Sequence, residues 1–219
     1  MARAYLCDFD GTIAPRDVGA ALVERFAIGG RDERKRLLGE WREGRIGSRA
    51  VTEAEVAWMR VGEAEALAFT RSFDLDPHFS RFVRETQARG HRVAVVSDGF
   101  AFYVEDSLNR AGLGDLEWTA NRLRFDGERV VAEFEGVGDG CGRCGNCKAV
   151  HVRREQQAGF EVVLVGDGLS DRCGARAADQ VIARGELLAW CRAQAIAARP
   201  FENFSDVAAL AHAATGEAR

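Results

Sequence analysis

The sequence predicts an α/β fold, a Rossmann-like parallel sheet with a small helical cap inserted after the first strand. Three observations lead to this prediction. Short β-branched runs without internal charges alternate with helix-like segments, those segments tend to end at glycines, and a long helical block separates the first apolar run from the second. Charge-free runs of this kind are typical of strands that are buried on both faces of a parallel sheet.

The first strand is predicted at 5–7, where a short apolar run leads into Asp8-Phe9-Asp10-Gly11-Thr12. From about 17 to 71, apolar residues recur at helix-like spacing with charges between them. We therefore assign 1–14 and 77–219 to the α/β core and 15–76 to the cap.

The rest of the core follows from the same patterns, together with Asp126-Gly127, a strong hairpin signal that we place within 120–136. The remaining predicted elements are helices over 79–89, 102–111 and 148–158, strands over 92–96, 161–165 and 181–182, and helices near Leu187 and Val207.

Composition limits the possible partners and the compartment. The 219 residues carry a formal charge of -4, which gives no electrostatic case for a nucleic acid or an anionic membrane as partner. We find neither a signal-peptide pattern nor a stretch long enough to span a membrane, so we expect a cytoplasmic protein. In that reducing compartment the six cysteines are expected to be thiols or metal ligands.

Two aspartates at the end of the first strand predict a metal site. Residues two apart in an extended chain point to the same side, so the carboxylates of Asp8 and Asp10 enter one site while Phe9 faces the core. Close carboxylates repel each other, and a divalent cation relieves that repulsion. Asp167, after a later strand, would add a third oxygen ligand, and Mg2+ suits such a set.

Further polar groups follow the other strand ends. Ser97-Asp98-Gly99 follows the second strand, and Lys148, one of only two lysines, begins the helix that leads into the third. A phosphoryl group would then be surrounded by positive charge and hydrogen-bond donors, which is most of what phosphoryl transfer requires. Each motif alone is typical of a turn or a cap, but together they favour a phosphoryl-transfer site.

These residues resemble the motifs of the haloacid dehalogenase superfamily across essentially the whole chain. The segment 8–12 resembles the first motif, Ser97 the second, Lys148 the third, and Gly166-Asp-Gly-Leu-Ser-Asp171 the fourth. The acidic residue at position 10 resembles the phosphatases of the superfamily.

The resemblance implies a role for each matching residue. Asp8 would attack phosphorus and bind Mg2+, and Asp10 would carry protons and contact the metal through its backbone carbonyl. Asp167 would bind the metal, and Asp171 would hold the metal's water shell or Lys148. The phosphate-binding set comprises Gly11, Thr12, Ser97, Asp98, Gly99 and Lys148.

The helical block resembles the lid of the phosphoserine phosphatase-like branch. Within that branch, three segments resemble the methionine-salvage phosphatases that act on 2-hydroxy-3-keto-5-methylthiopentenyl-1-phosphate. They are the hairpin at 126–127, the run 144–148 and the tail 198–204. Asp98 departs from the phosphoserine phosphatases, which commonly have glycine there, and an extra carboxylate would disfavour an anionic substrate tail.

The expected function is therefore a Mg2+-dependent phosphomonoesterase acting on a small phosphate ester through an aspartyl-phosphate on Asp8. Three alternatives remain: phosphoserine phosphatase-like activity, a phosphotransferase, and a non-catalytic phosphate-binding module of the same fold, since a fold alone does not establish activity.

A dense cysteine segment precedes Lys148. Two residues separate Cys141 from Cys144 and Cys144 from Cys147, and with His151 these cysteines would make a Cys3His zinc set. The competing interpretation is a glycine-rich loop of reduced thiols. Cys173 and Cys191 are expected to be buried helix residues.

Overall fold

The computed structural model describes residues 2–134 and 140–213. Its centre is a seven-stranded sheet in the order β4-β3-β2-β1-β5-β6-β7. All neighbouring strands are parallel except β3 and β4. The strands are β1 (Arg3–Cys7), β2 (Arg92–Phe100), β3 (Glu117–Asp126), β4 (Arg129–Glu133), β5 (Glu161–Gly166), β6 (Gln180–Ala183) and β7 (Ala198–Pro200). The predicted α/β class is confirmed.

Helices connect the strands and cover the sheet. They are α1 (Val18–Phe26), α2 (Arg31–Arg42), α3 (Ser48–Trp58), α4 (Glu63–Thr70), α5 (Phe79–Ala88), α6 (Ala101–Arg110), α7 (Lys148–Gln157), α8 (Arg172–Ala177), α9 (Gly185–Ala193) and α10 (Phe204–Ala213), with a 3-10 turn at Leu169–Asp171. Among the described residues, no helix combines the length and apolar character needed to cross a membrane.

The central strand β1 is buried along its whole length, because β2 and β5 flank it and helices cover both faces. Its side chains alternate between two hydrophobic clusters. Tyr5 and Cys7 belong to the larger cluster, and Ala4 and Leu6 to the smaller. This alternation follows from the two-residue period of a strand and explains why residues 4–7 carry no charge.

Helices α1 to α4 lie between β1 and α5 in the chain and fall within the predicted cap range 15–76. Their apolar residues, among them Leu22 and Val56, join the larger cluster. The hairpin of β3 and β4 contacts this region, since the Val61 N–H donates to the Glu128 carbonyl at 3.0 Å. The division into core and cap stays a proposal, and residues 135 and 136 of the predicted hairpin range lie outside the described residues.

Some elements differ from the sequence prediction. The second strand continues past Val96 to Phe100, with a register shift against β3 over that stretch, so Ser97, Asp98 and Gly99 lie within the strand. The edge strand β7 was not predicted, since it is short and carries an arginine and a proline. Cys173 lies in α8 as expected, but it is half-buried, not buried.

Candidate active site

The parallel topology brings the predicted polar residues to one edge of the sheet. The chain passes from β1 outward to β2 and β3, then returns to the other side of β1 through β5. Ligands of such sheets bind beyond the carboxyl ends of the strands where the order reverses. Asp8 follows β1 there, Ser97 lies near the end of β2, and Asp167 follows β5.

Lys148 connects two of these strand ends. Its ammonium donates to Asp8 Oδ1 at 2.5 Å and also to Asp171 Oδ1, and the Lys148 side chain is completely buried. Burial disfavours the charged ammonium, but the charges of Asp171 and Asp8 outweigh it and raise the pKa of Lys148. The residue therefore remains a cation between two carboxylates.

Three carboxylates form a compact group beside Lys148. Asp8, Asp167 and Asp171 each offer an oxygen, and these oxygens lie within 4.8 Å of one another. Asp171 is held by the backbone, because its Oδ2 accepts from the N–H groups of Asp167 at 3.0 Å and Gly168 at 2.9 Å. This set of hard oxygen donors fits Mg2+, which binds through a few carboxylates and keeps some water.

The electrostatics of the group favour a cation. Burial and the charge of Asp171 raise the pKa of Asp8 well above its usual range, and Lys148 opposes them. The same two causes raise the pKa of Asp167 to about 6. A divalent cation would offset both effects, since it favours the ionised form of each carboxylate.

Asp10 has a different environment. One carboxylate oxygen accepts from the N–H groups of Val18 at 2.9 Å and Gly19 at 3.1 Å, at the start of α1, and the other accepts from Tyr103 Oη at 2.6 Å. Burial and then the charge of Asp17 raise its pKa to about 7, although these hydrogen bonds oppose the rise. The Asp10 carboxylate is not part of the three-carboxylate group.

Phe9 and Gly11 shape the turn that carries the two aspartates. Phe9 is fully buried and packs against Tyr103, with ring centroids 5.6 Å apart, so the flanking carboxylates face the cleft. Gly11 has φ +75°, and a Cβ there would collide with the carboxylate of Asp167. The motif therefore needs glycine at this position for both conformation and space.

The other residues predicted to bind phosphate lie close by. Ser97 Oγ is buried and accepts from the Gly99 N–H at 2.9 Å, and Thr12 Oγ1 donates to Asp167 Oδ1 at 2.8 Å. A Cβ at Gly99 would collide with Tyr103 and Asp10. The hydroxyl of Thr12 is thus engaged in orienting Asp167, and the backbone around Gly99 packs directly against the Asp10 carboxylate.

Asp98 binds the loop that leads to Lys148. Its Oδ1 accepts from the Asn146 N–H at 2.7 Å and from Asn121 Nδ2 at 3.1 Å, while its Oδ2 is buried without a hydrogen-bond partner among the described residues. Burial raises its pKa. These contacts order the loop, and its predicted contact with phosphate stays a prediction.

Sequence reasoning missed Tyr103 and Arg184. Tyr103 holds Asp10, and the Arg184 guanidinium donates to the Gly11 carbonyl, with Nε at 2.9 Å, and to the Glu202 carbonyl. The only sequence signal for Tyr103 is a hydroxyl-bearing aromatic four residues after the Ser-Asp-Gly motif. Arg184 has no such signal, since it is one charged residue among many.

A cleft of about 360 Å³ opens above these groups. Its floor carries Asp8, Asp10 and Asp167, and its opposite wall is formed by α1, α2 and α3. The apolar side chains on that wall are Ala20, Val23, Leu38, Trp41 and Val51.

Two arginines also line the cleft, and each has an acidic partner. Arg34 pairs with Glu55 at 2.6 Å, and Arg42 pairs with Glu186 at 3.0 Å. The charge of each guanidinium is therefore compensated, and the wall also carries the polar side chains of Asp17, Ser48 and Thr52.

The predicted cysteine segment lies outside the cleft. His151 Nε2 is hydrogen-bonded to Asn146 Oδ1 at 2.7 Å, and the sulfur atoms of Cys141, Cys144 and Cys147 are joined by that of Cys173. The structure therefore replaces His151 with Cys173 in the predicted set. Sequence reasoning missed this because α8 brings Cys173 from a distant part of the chain.

Comparisons with known proteins show the family to which the chain belongs. A family model described as haloacid dehalogenase-like hydrolase matches residues 5–176. A 2-hydroxy-3-keto-5-methylthiopentenyl-1-phosphate phosphatase of Exiguobacterium sp. is 32% identical over 212 residues, which cover 95% of this chain and 97% of the relative. A phosphatase of the same name from Geobacillus kaustophilus is 31% identical, covering 92% and 91%.

Solved structures agree on the fold. A phosphoserine phosphatase, solved as a phospho-aspartyl intermediate analogue, superposes with a TM-score of 0.73 at 22% identity, covering 94% of this chain and 97% of that one. A substrate-bound phosphoserine phosphatase complex superposes with a TM-score of 0.70 at 20% identity. The predicted superfamily and the prediction of an enzyme of its phosphatase type are confirmed: the chain belongs to the haloacid dehalogenase-like hydrolase family.

Proposed function

We propose that this chain is a Mg2+-dependent phosphomonoesterase that hydrolyses a small phosphate ester through an aspartyl-phosphate on Asp8. The observation that carries the proposal is the contrast between two neighbouring carboxylates. Asp8 contacts the Lys148 ammonium at 2.5 Å, whereas Asp10 is held apart with its pKa raised to about 7. Carboxylates with such separated environments are suited to separate nucleophilic and proton-transfer roles.

Asp8, Asp167 and Asp171 would hold the metal, Asp171 through the metal's water shell, and the Asp10 backbone carbonyl would contribute. When bound, Mg2+ supplies positive charge to the phosphate oxygens and favours the ionised form of Asp8. Lys148 and Ser97 would bind phosphate oxygens, with the backbone of Gly11, Thr12 and Gly99 close to them.

The reaction proceeds in two steps. An oxygen of Asp8 attacks phosphorus, the bond to the ester oxygen breaks, and protonated Asp10 gives its proton to that leaving oxygen. The Asp10 carboxylate then takes a proton from a water molecule, whose oxygen attacks phosphorus and displaces Asp8 as inorganic phosphate forms. A pKa of about 7 suits a group that must alternate between these two states.

The apolar wall favours an ester with an uncharged tail. Val23, Leu38 and Trp41 would contact that tail, and the arginines of the cleft are already paired with glutamates. The names of the relatives contain a methionine-salvage enol phosphate, 2-hydroxy-3-keto-5-methylthiopentenyl-1-phosphate, whose tail ends in an uncharged methylthio group. We therefore propose it as the substrate, in a cytoplasmic enzyme whose 15–76 cap closes over the ester.

Phosphoserine phosphatase-like activity is the second candidate, and it is favoured by the likeness in fold. The carboxylate of phosphoserine would need a cationic partner, whereas the two arginines that line the cleft are already paired with glutamates. The non-catalytic alternative is weakened by the intact set of Asp8, Asp10, Lys148 and Asp167. A phosphotransferase would need an acceptor other than water.

The first test is hydrolysis of an aryl phosphate with and without Mg2+ for wild type and Asp8→Asn. We expect metal-dependent turnover that the substitution lowers by about 10⁴-fold or more, as loss of a nucleophile does. Asp115→Asn, the same change at an exposed aspartate, is the control and should retain activity. Unchanged turnover in Asp8→Asn would refute the nucleophile.

A second test compares kcat/KM for the methionine-salvage intermediate and for phosphoserine. We expect the former to be preferred. Preference for phosphoserine would overturn the proposed substrate while leaving the phosphatase mechanism intact.

A further inference from the structure

Four cysteine sulfurs meet in one place beside the active site, although they come from two parts of the chain. Cys141, Cys144 and Cys147 lie in the loop before α7, and Cys173 lies in α8. The four Sγ atoms are within 4.8 Å of one another. Cys141 Sγ and Cys144 Sγ are 3.2 Å apart, and Cys144 Sγ and Cys173 Sγ are 3.9 Å apart.

We propose that these four cysteines bind one structural zinc ion. Zinc prefers four tetrahedral ligands at about 2.3 Å from sulfur, which places neighbouring sulfurs about 3.8 Å apart. The 3.9 Å between Cys144 Sγ and Cys173 Sγ matches that edge length, and the 3.2 Å between Cys141 Sγ and Cys144 Sγ is somewhat shorter. They are too long for a disulfide, whose sulfurs are about 2.05 Å apart.

The ligand chemistry favours zinc over the cations of the active site. An all-sulfur tetrahedral set is soft and suits zinc, whereas Mg2+ requires oxygen ligands. His151 is not part of the four-sulfur group, and its Nε2 is hydrogen-bonded to Asn146 Oδ1. Cys147 and Cys173 come from separate elements, so the metal would join them as a crosslink does.

The proposed zinc would lie next to the two residues of a buried ion pair, Lys148 and Asp171. Cys147 directly precedes Lys148, and Cys173 lies two residues after Asp171, so the zinc would fix the two backbones whose side chains form the buried ion pair. A Cβ at Gly174 would crowd the Lys148 side chain, which shows how closely α8 packs on the start of α7. The zinc would therefore position Lys148 without touching the substrate.

The same loop also supports the start of α3. The Arg49 N–H donates to the Arg143 carbonyl at 3.2 Å, and the Gly145 N–H donates to Ser48 Oγ at 3.2 Å. Zinc bound to the flanking cysteines would hold this loop against one end of the apolar wall.

The decisive measurement is metal analysis and X-ray absorption of the full chain, expressed with zinc and purified under reducing conditions. We expect about one zinc per chain with four sulfur neighbours near 2.3 Å. The proposal would be overturned if the protein held no zinc, if it held iron instead, or if the metal had three sulfur neighbours and one nitrogen. A disulfide found by mass spectrometry in protein purified without exposure to oxidant would also overturn it.

Variants locate the site independently of activity. Cys173→Ser should lose most of its zinc, while His151→Ala and Cys191→Ser should retain it, since Cys191 is buried elsewhere. Retention in Cys173→Ser together with loss in His151→Ala would overturn the all-cysteine set.

If Cys173→Ser does not fold, the wild-type chain loaded with Co2+ supplies the same answer. Thiolate-to-cobalt absorption with tetrahedral bands is expected, and its absence would contradict the site. Chelation that removes zinc should also lower the melting temperature, because the bound metal stabilises only the folded chain.

Discussion

The two sides of the cleft differ in the kind of side chain that they present. The strand-end floor contains buried charges, each with a fixed partner, such as Lys148 between Asp8 and Asp171. The wall from α1 to α3 presents apolar side chains such as Val23 and Trp41. Chemistry on phosphate requires fixed charges, whereas a wall of this kind can adapt to a tail by packing alone. Reaction type and substrate choice should therefore respond to different substitutions.

After Asp8→Asn, the largest expected effect on the floor comes from Asp10→Asn. The amide cannot donate or take the proton, so turnover should fall by about 10² to 10⁴-fold. An aryl phosphate, whose leaving group needs no proton, should still phosphorylate Asp8, so the phosphoenzyme should accumulate and be visible by intact mass spectrometry. Rapid turnover without accumulation would contradict the assigned role.

Lys148→Met tests how far the floor depends on its buried cation. Removing one partner leaves Asp8 and Asp171 buried without their counter-charge, which should cost about 3 to 5 kcal/mol in the free energy of unfolding. Denaturant unfolding without Mg2+ measures it, and Lys35→Met, at the only other lysine, is an exposed control that should change little. Equal stability of the two variants would show that the buried pair is not stabilising.

Trp41→Ala tests the apolar wall. Losing this contact should lower kcat/KM for the apolar-tailed ester by about 10 to 100-fold and leave that for a small aryl phosphate much less affected. Trp58→Ala removes a tryptophan that does not line the cleft and should leave the ratio of the two values unchanged. An unchanged ratio in Trp41→Ala would place the tail elsewhere.

The smallest expected effect is a shift in pH dependence from Tyr103→Phe. The Tyr103 hydrogen bond lowers the pKa of Asp10, which burial has raised to about 7. Without the hydroxyl the pKa of Asp10 should rise further. Phosphorylation of Asp8 by an ester whose leaving oxygen needs a proton from Asp10 should therefore persist to higher pH. Tyr5→Phe, at the only other tyrosine, should leave the profile in place. A shift to lower pH would contradict this assignment.

Some strands are specified by the residues of one short stretch of the chain, and others depend on a neighbouring strand. The strand-turn pattern at 5–12 and the charge-free run at 162–165 specify buried parallel strands, and their polar ends follow directly. The second strand extends beyond its apolar run, because pairing with β3 continues through Phe100 after a register shift. That shift depends on a neighbouring strand and has no local pattern.

By itself the sequence determined the α/β class, the edge of the sheet at which the site lies, and the aspartates, serine and lysine that meet there. These features follow from residue type, strand period and the rule that parallel strand ends share an edge. Only the tertiary structure decided that Tyr103 holds Asp10, that Arg184 holds Gly11, and that Cys173 takes the place expected for His151. The physical reason is that these partners are far apart in the chain, and only the packing of helices on the sheet brings them into contact.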